Sequence, residues 1–205
     1  MIAIIDYGVG NLFSLSCSLK KIGAESVVTG DINKIRSADK VILPGVGAFG
    51  DAAEKLRSTG LDEKIKELAS EGKPLLGICL GMQLLFDKSY EYGEHEGLSL
   101  IHGEARPLSQ FISGMKIPHM GWNSLNIKDK NNALLKYVSE GDYVYFVHSY
   151  CGVCKEEGDL VATASYGIDV TAIVSRGNVY GTQFHPEKSG EVGLKILKAF
   201  AEIGE

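Results

Sequence analysis

The sequence predicts an α/β fold in which a mostly parallel sheet is flanked by helices and continues into an antiparallel β extension. In the first half of the chain, short apolar runs alternate with helical patterns, as expected for parallel strands joined by right-handed crossovers. In the second half, successive runs rich in β-branched and aromatic residues follow one another with short polar breaks. The 205 residues show no repeat and no linker, so we expect residues 1–205 to form a single domain.

The first half alternates strands with helices. Four apolar runs predict buried strands, namely Met1–Asp6, Ser26–Val28, Val41–Leu43 and Pro74–Ile78. We expect Pro44 and Gly45 to end the third strand. Helical patterns follow at 51–58, 61–71 and 80–86. An earlier helix begins near Asn11 or Ser14, either of which can cap it, and its apolar face is expected to consist of Leu15, Leu19 and Ile22.

The second half predicts strands and a final helix. The strand-like runs are Ile117–Asn126, Tyr143–His148, Leu160–Tyr166, Thr171–Arg176 and Val179–Phe184, several of which should pair antiparallel. The last helix is predicted over 190–203. Its apolar residues fall on one stripe, which consists of Val192, Ile196, Phe200 and Ile203.

Composition and charge exclude several classes of function. Lys and Arg number 21 against 26 Asp and Glu, and a net charge of −5 argues against a broad nucleic-acid surface. No apolar run approaches the roughly 20 residues that a membrane helix requires. The start of the chain has no basic region or cleavage site typical of a signal peptide, and four cysteines are too few for a disulfide framework. We therefore expect a cytoplasmic protein with reduced thiols.

The strongest local motif is Gly77-Ile78-Cys79-Leu80-Gly81, which joins an apolar strand to a helix. This spacing is typical of a nucleophile elbow, where the flanking glycines avoid clashes with the neighbouring strand and helix. The helix N-terminus favours a thiolate at Cys79, and the backbone N–H of Leu80 can donate to an oxyanion. The alternative is a core cysteine in a glycine-rich turn.

A thiolate nucleophile requires a base and a group that orients the base. His185 and Glu187 lie two residues apart at the end of an apolar strand, so in an extended segment they project from the same face. Alone, His185 and Glu187 would be interpreted as a histidine–glutamate pair on the surface, at the end of a strand. Together with the elbow, they predict a Cys79–His185–Glu187 triad.

The glycine-rich turn at 44–50 follows the third strand, and it predicts a second oxyanion donor near Val46 and Gly47. The alternative is a plain turn from strand to helix in which Asp51 caps the helix, and both can hold.

Other motifs predict no cofactor. Phe13 stands where a dinucleotide fingerprint needs glycine, and no phosphate-binding loop is present. The Cys151–Cys154 pair lacks a second pair and is interpreted as incidental. His119 has no metal-ligand spacing to another His or Cys, so we expect no metal.

Six blocks along the chain match a known family in order: IAIIDYGVGNLFSL, LPGVGAFG, GICLGMQLLF, PHMGWN, YFVHSY and GTQFHPEKSG. This set resembles the class I, triad-type glutamine amidotransferases, whose sheet has a flavodoxin-like core. GICLGMQ and FHPE mark that superfamily. DYGVGN, PGVGAFG and PHMGWN are more similar to one branch, the glutaminase subunits of imidazole glycerol phosphate synthase in histidine biosynthesis.

The resemblance implies a role for each motif. It makes Cys79 the nucleophile, His185 the general base and acid, and Glu187 the carboxylate that orients the histidine. It assigns the oxyanion donors to Leu80 and the Val46–Gly47 turn. The implied glutamine-binding residues are Gly47, Gln83, Ser149 and Tyr150, the last two largely through backbone. The implied partner face consists of Asn11, His119, Met120, Trp122 and Asn123, although Trp122 could equally be a core aromatic.

The resemblance also implies a reaction and a partner. The chain would hydrolyse L-glutamine to glutamate and ammonia without a cofactor, and it would pass ammonia to a (β/α)₈-barrel cyclase subunit in a heterodimer. Two alternatives stay open. The chain could be a paralogous glutaminase that supplies a different synthase, such as a sugar-amidating enzyme. It could also be a non-catalytic interaction subunit on the same fold, although the intact triad argues against this.

Overall fold

The computed structural model describes residues 1–204, and in this part of the chain it contains fourteen strands and six α-helices. The strands are β1 (Ile2–Ile5), β2 (Ser26–Thr29), β3 (Lys40–Gly45), β4 (Leu75–Cys79), β5 (Lys88–Ser89), β6 (His95–Glu96), β7 (Gly103–Pro107), β8 (His119–Ser124), β9 (Asn126–Ile127), β10 (Tyr143–His148), β11 (Tyr150–Cys154), β12 (Leu160–Tyr166), β13 (Ile168–Arg176) and β14 (Val179–Thr182). The helices are α1 (Leu12–Lys21), α2 (Ile32–Ser37), α3 (Phe49–Ser58), α4 (Leu61–Ser70), α5 (Leu80–Leu84) and α6 (Gly190–Ala201).

The main sheet has eight strands in the order β2-β1-β3-β4-β14-β13-β12-β9. The first five pair in parallel, and β13, β12 and β9 continue the sheet with antiparallel pairing. Strand β14 is the junction, since it pairs parallel with β4 and antiparallel with β13. The predicted fold class, a mostly parallel sheet with an antiparallel extension, is confirmed.

Helices cover both faces of this sheet, because the parallel strands are apolar on both sides. In β1, Ala3 and Ile5 face one core cluster while Ile2 and Ile4 face the other. The first cluster includes buried residues of α3 and α4, and the second includes those of α1 and α6. Two smaller sheets, β10-β8 and β11-β7-β5-β6, lie outside the eight-stranded sheet.

Several element boundaries differ from the prediction. The third strand does not stop at Leu43, because Pro44 and Gly45 belong to it and pair with Ile78 and Cys79 in register. Asp51 does not cap α3, since Ala48 holds the cap position and Asp51 lies in the first turn. The last strand stops at Thr182, two residues before Phe184.

Some elements were not predicted from the sequence, namely α2, β5, β6, β7 and β11. The predicted 117–126 strand is divided into β8 and β9, and α5 has only five residues. In α1 the cap position belongs to Asn11, but its side chain makes no capping hydrogen bond. Leu15 and Leu19 are buried in that helix, whereas Ile22 lies at its end and is half-buried.

Candidate active site

Three adjacent strands, β3, β4 and β14, bring the predicted site residues to one edge of the sheet. Gly45 ends β3, Cys79 ends β4, and His185 follows β14 by three residues. Because these strands are parallel, their carboxyl ends meet at the same edge, where ligands bind in open α/β sheets. The thiol at the end of β4 therefore lies between the glycine-rich turn and the histidine.

Cys79 holds the backbone conformation of a nucleophile elbow, with φ 56° and ψ −111°. The flanking glycines are required, because a Cβ on Gly81 would lie 1.9 Å from the carbonyl oxygen of Leu43 in β3, and one on Gly77 would lie 2.6 Å from the carbonyl oxygen of Gly81. The backbone N–H of Leu80 is in the first position of α5, where it has no intrahelical partner. The predicted steric reason for the G-x-C-x-G spacing is confirmed.

His185 and Glu187 are in contact, although not by the predicted geometry. The Nδ1 of His185 lies 2.9 Å from Oε1 of Glu187, and both side chains are almost fully buried. His185 is extended, but residues 186–188 form a 3₁₀ turn, so the assumption of one extended strand was wrong. The turn folds Glu187 back onto the ring. The bond to Nδ1 leaves Nε2 of the imidazole for the thiol.

The charge state of His185 is set by competing effects. Burial lowers its pKa, because desolvation disfavours the imidazolium. Hydrogen bonds to Cys79 and Glu187, and the negative charges of these two groups, act in the opposite direction and raise the pKa from 6.5 to about 9. His185 is therefore an imidazolium at neutral pH, and its Nδ1–H faces the carboxylate of Glu187.

Asn11 lies next to Glu187, the carboxylate that contacts His185. Its Nδ2 donates to Oε1 of Glu187 at 3.3 Å, the same oxygen that faces His185. This contact explains why Asn11 occupies the cap position of α1 without capping it. Asn11 thus connects the buried carboxylate to the surface at the start of α1.

A cavity of about 340 Å³ opens at Cys79. Its lining residues include every predicted oxyanion and glutamine-binding residue, namely Val46, Gly47, Leu80, Gln83, Ser149 and Tyr150. Gly47 has φ +95°, a conformation that residues with a side chain rarely adopt, so the turn after β3 depends on glycine here. All six residues predicted to form the oxyanion hole or to bind glutamine therefore line one cavity.

Gln83 is buried, and its amide group is engaged within the protein. Its Nε2 donates to the carbonyl oxygen of Tyr150 at 2.9 Å and to Oε1 of Gln183 at 3.1 Å. Gln83 lies one helical turn after Cys79, so these bonds connect the helix that carries the thiol to the opposite wall of the cavity. The geometry makes Gln83 a support for the 149–150 segment.

The structure also places residues at the site that the sequence did not single out. Glu91 lines the cavity, and its Oε2 accepts a hydrogen bond of 2.6 Å from the backbone N of Phe49 at the start of α3. It lies in an irregular loop with no periodic pattern. Ser189 donates to the carbonyl oxygen of His185 at 2.7 Å and accepts from the backbone N of Tyr145 at 2.9 Å. Gln183 alternates with His185 along the chain, which is the one signal that could have indicated it.

The residues of the predicted partner face do not behave alike. Met120 and Trp122 are 63% and 55% exposed, so Trp122 is not a core aromatic. His119 is only 2% exposed, because its ring stacks between Phe146 and Tyr166 at centroid distances of 4.6 and 4.0 Å. Of the predicted partner face, Met120 and Trp122 therefore present their side chains to solvent, whereas the side chain of His119 faces inward.

Within residues 1–204, no three His, Cys, Asp or Glu side chains are grouped so that they could hold a metal ion. Cys151 and Cys154 both lie in β11, and burial raises the pKa of each thiol to about 12. In the same range of residues, no helix combines the length and the apolar character needed to cross a membrane.

Proteins of similar sequence share one description. The chain is 51% identical over 204 residues to "Imidazole glycerol phosphate synthase subunit HisH" of Sulfurimonas denitrificans, with 98% of both chains covered. Proteins with the same description from Wolinella succinogenes and Caldanaerobacter subterraneus are 50% and 52% identical, and the matches cover at least 98% of each chain. The description as a subunit means that these relatives work with a partner chain.

Solved structures and a family match agree with the fold. A structure described as "Crystal structure of glutamine amidotransferase" superposes with a TM-score of 0.77 at 18% identity, over 99% of this chain and 100% of that one. "Structure of PurLQS from Thermotoga maritima" gives 0.77 at 21% identity, over 97% and 96%. At such identities these similarities support the fold alone. Residues 3–203 match the family described as "Glutamine amidotransferase class-I", and the chain belongs to this family.

Proposed function

We propose that this chain hydrolyses L-glutamine and is the glutaminase subunit of an imidazole glycerol phosphate synthase in histidine biosynthesis. The observation that carries the proposal is one cavity that is lined both by a strained cysteine and by a histidine that a buried carboxylate holds. Full-length relatives at about 50% identity support the assignment to this synthase. The cytoplasmic location expected from the sequence belongs to the same proposal, since those relatives are subunits of a biosynthetic enzyme.

In the proposed reaction, the thiolate of Cys79 attacks the side-chain amide carbon of glutamine. The imidazolium of His185 gives its proton to the leaving nitrogen, so ammonia departs and a glutamyl thioester remains. His185, now neutral, takes a proton from water as that water attacks the thioester, and glutamate leaves. Glu187 holds the ring through Nδ1 during both steps and stabilises its positive charge.

Backbone donors stabilise the negative oxygen of each tetrahedral intermediate. The N–H of Leu80 is one donor, and the Val46–Gly47 turn supplies the second, each worth about 3–4 kcal/mol. The α-ammonium group of glutamine requires a negative partner, and the cavity offers the carboxylate of Glu91. Because Glu91 also accepts from Phe49 N at the start of α3, the same side chain supports the helix that follows the oxyanion turn.

Ammonia becomes protonated in bulk water and then loses its nucleophilicity, so we propose that it passes directly to a (β/α)₈-barrel cyclase subunit. The exposed Met120 and Trp122 on β8 are apolar and aromatic, which is typical of the centre of an interface. Asn11 and Asn123 belong to the same proposed face. We also propose that the free subunit is nearly inactive, because the 44–50 turn has to change conformation to complete the oxyanion site.

The test is reconstitution with candidate synthase subunits. The purified chain is mixed with the cyclase subunit of an imidazole glycerol phosphate synthase or with a sugar-amidating synthase that lacks its own glutaminase, and glutamate release is measured. We expect acceleration with the cyclase subunit only. Acceleration by the sugar-amidating enzyme alone would show that the partner is wrong. A full rate in the isolated chain would contradict the conformational change, and no glutamate with any partner would contradict the glutaminase activity.

A further inference from the structure

Two buried histidines near the cavity have no role in the proposed chemistry. His119 in β8 and His148 in β10 are paired directly across the two antiparallel strands, and they are 2% and 6% exposed. The Nδ1 of His119 lies 3.0 Å from Nε2 of His148. His148 also lines the cavity, so this pair connects the cavity wall to strand β8.

The hydrogen-bond partners determine which ring nitrogens carry hydrogen. The Nδ1 of His148 is 2.8 Å from the carbonyl oxygen of Tyr150, which can only accept, so this Nδ1 is the donor. Burial, together with the nearby His119 and His185, lowers the pKa of His148 to about 3 despite the bond to Tyr150. The ring is therefore neutral, and its Nε2 accepts a hydrogen bond from Nδ1 of His119.

The same reasoning applies to His119. Burial lowers its pKa to about 4, so it is neutral, and its donor hydrogen is on Nδ1. Its Nε2 is left as an acceptor, 3.4 Å from Nδ2 of Asn123. The resulting chain of donors has a single direction, from Asn123 through His119 and His148 to the carbonyl oxygen of Tyr150. Both imidazoles must then carry their hydrogen on Nδ1.

The two ends of this chain lie in different parts of the protein. Asn123 follows the exposed Trp122 on β8, and its Nδ2 also donates to the carbonyl oxygen of Ser165 at 2.9 Å. At the other end, the carbonyl oxygen of Tyr150 accepts from Gln83 as well as from His148. Since a carbonyl oxygen has two lone pairs, these two side chains occupy both. The Tyr150 carbonyl is thereby held by Gln83 of α5 on one side and by His148 of β10 on the other, and His119 connects His148 to β8.

We propose that His119 and His148 are positioning residues, which hold the 149–150 wall in the conformation that binds glutamine and connect this wall to strand β8. The proposal rests on the proposed function for the identity of the substrate. His119 is suited to this role because stacking between Phe146 and Tyr166, each at an interplanar angle of 20°, prevents its ring from turning. Neither histidine touches the reacting atoms.

The first test needs no substitution. Ring ¹⁵N chemical shifts of the wild-type chain at pH 7 distinguish the two neutral tautomers and the charged form of each histidine. We expect His119 and His148 to be neutral and protonated on Nδ1, whereas free imidazole side chains favour hydrogen on Nε2. Hydrogen on Nε2 of either ring, or a charged ring, would overturn the proposal, whether or not the chain is a glutaminase.

The second test measures the effect on the cavity. His119→Phe keeps a flat ring in the stack but removes the donor to His148, and His119→Asn restores an amide donor near the position of Nδ1. The probes are a chloromethyl ketone analogue of glutamine and iodoacetamide, both of which alkylate Cys79. Labelling of Cys79 is followed by peptide mass mapping, because the free thiol of Cys17 is exposed and is also alkylated. The matched control is His102→Phe, since His102 is 47% exposed and lies outside the cavity.

We expect His119→Phe to be labelled by the ketone about tenfold more slowly, which corresponds to the loss of one buried hydrogen bond. Labelling by iodoacetamide should change less than about twofold. His119→Asn should recover most of the rate, and His102→Phe should equal the wild type. Equal ketone rates in wild type and His119→Phe would overturn the positioning role. If the wild-type chain in complex with the cyclase subunit reacted with iodoacetamide but not with the ketone, this would instead contradict the proposed function, and with it the substrate named here.

Discussion

Cys79 combines an uncommon backbone conformation with a charged neighbour. A positive φ in a residue with a side chain is strained, typically by about 1–3 kcal/mol, and such strain persists only where the surrounding structure fixes it. Here β3 and α5 fix it, because each approaches a flanking glycine too closely for a Cβ. The strain and the imidazolium of His185 act on the same sulfur atom, so the local sequence and the distant histidine both contribute to its reactivity.

Replacing Glu187 by Gln should lower the pKa of His185. The substitution keeps the size of the side chain but removes a negative charge and weakens the bond to Nδ1, both of which help to raise this pKa to about 9. The measurement is an NMR titration of the His185 ring in wild type and Glu187→Gln. An unchanged pKa would contradict the account of how His185 is charged.

The triad was predictable from sequence because each of its two motifs consists of residues that are close together along the chain. The G-x-C-x-G spacing encodes a steric requirement, and His185 and Glu187 are separated by one residue. Glu91 was not predictable, because its position depends on a loop without periodicity that folds against the start of α3. The resemblance placed the whole 119–123 stretch on the partner face, whereas alternation along β8 turns the side chain of His119 inward and those of Met120 and Trp122 outward.

Helix α5 depends on a glycine where helices ordinarily favour alanine. Gly81→Ala would place a Cβ 1.9 Å from the Leu43 carbonyl oxygen, so β3 and α5 would have to separate. In an ordinary helix, replacing glycine by alanine raises the free energy of unfolding by about 1 kcal/mol. Here we expect it to fall by about 2–4 kcal/mol, because the added Cβ does not fit. Urea unfolding measures this change.

The matched control for this substitution is Gly158→Ala. A Cβ on Gly158 meets nothing within 4 Å, so its effect should stay within about 0.5 kcal/mol. If Gly81→Ala were as stable as the control, the steric explanation of the elbow would be wrong.

Strand β8 presents apolar side chains to solvent, and we expect them to bind the partner. Trp122→Ala should weaken association with the cyclase subunit by about 2 kcal/mol or more, as truncation of an interface tryptophan commonly does. Stability should change little, because the side chain is 55% exposed. Titration calorimetry measures the affinity. The control is Tyr92→Ala, which is 91% exposed and lies outside β8. A larger loss at Tyr92 than at Trp122 would place the interface elsewhere.

Among the elements, long apolar runs were predictable and short ones were not. The parallel strands are buried on both faces, so their sequences are continuously apolar and easy to recognise. Strands β5 and β6 have two residues each, and their pairing comes from contacts between distant segments. Pro44 remains in β3 because the strand continues alongside β4, where its register with Ile78 is kept.

The stability of the folded chain should be greatest near pH 6.5. His119 and His148 have folded pKa values of about 4 and 3, so between pH 5 and 6.5 the unfolded state binds more protons and stability falls as the pH falls. His185 has the opposite shift, to about 9, so its contribution is complete below 6.5 and is lost as the pH rises towards 9. Each group changes the free energy of unfolding by up to about 1.4 kcal/mol per pH unit.

Urea unfolding at several pH values between 5 and 9 tests this dependence. In His119→Phe, the loss of stability between pH 6.5 and 5 should be smaller, because one of the two buried neutral histidines is gone. Stability that keeps rising from pH 6.5 to 9 would contradict the assigned charge of His185.

The most direct measurement compares wild type with Cys79→Ala in the reconstituted synthase, using glutamine or ammonium as the nitrogen source. We predict that the variant releases no glutamate and supports no synthesis from glutamine, while synthesis from ammonium by the partner subunit stays at the wild-type rate. Glutamate release by Cys79→Ala at the wild-type rate would contradict the account, because hydrolysis would then proceed without the thiol.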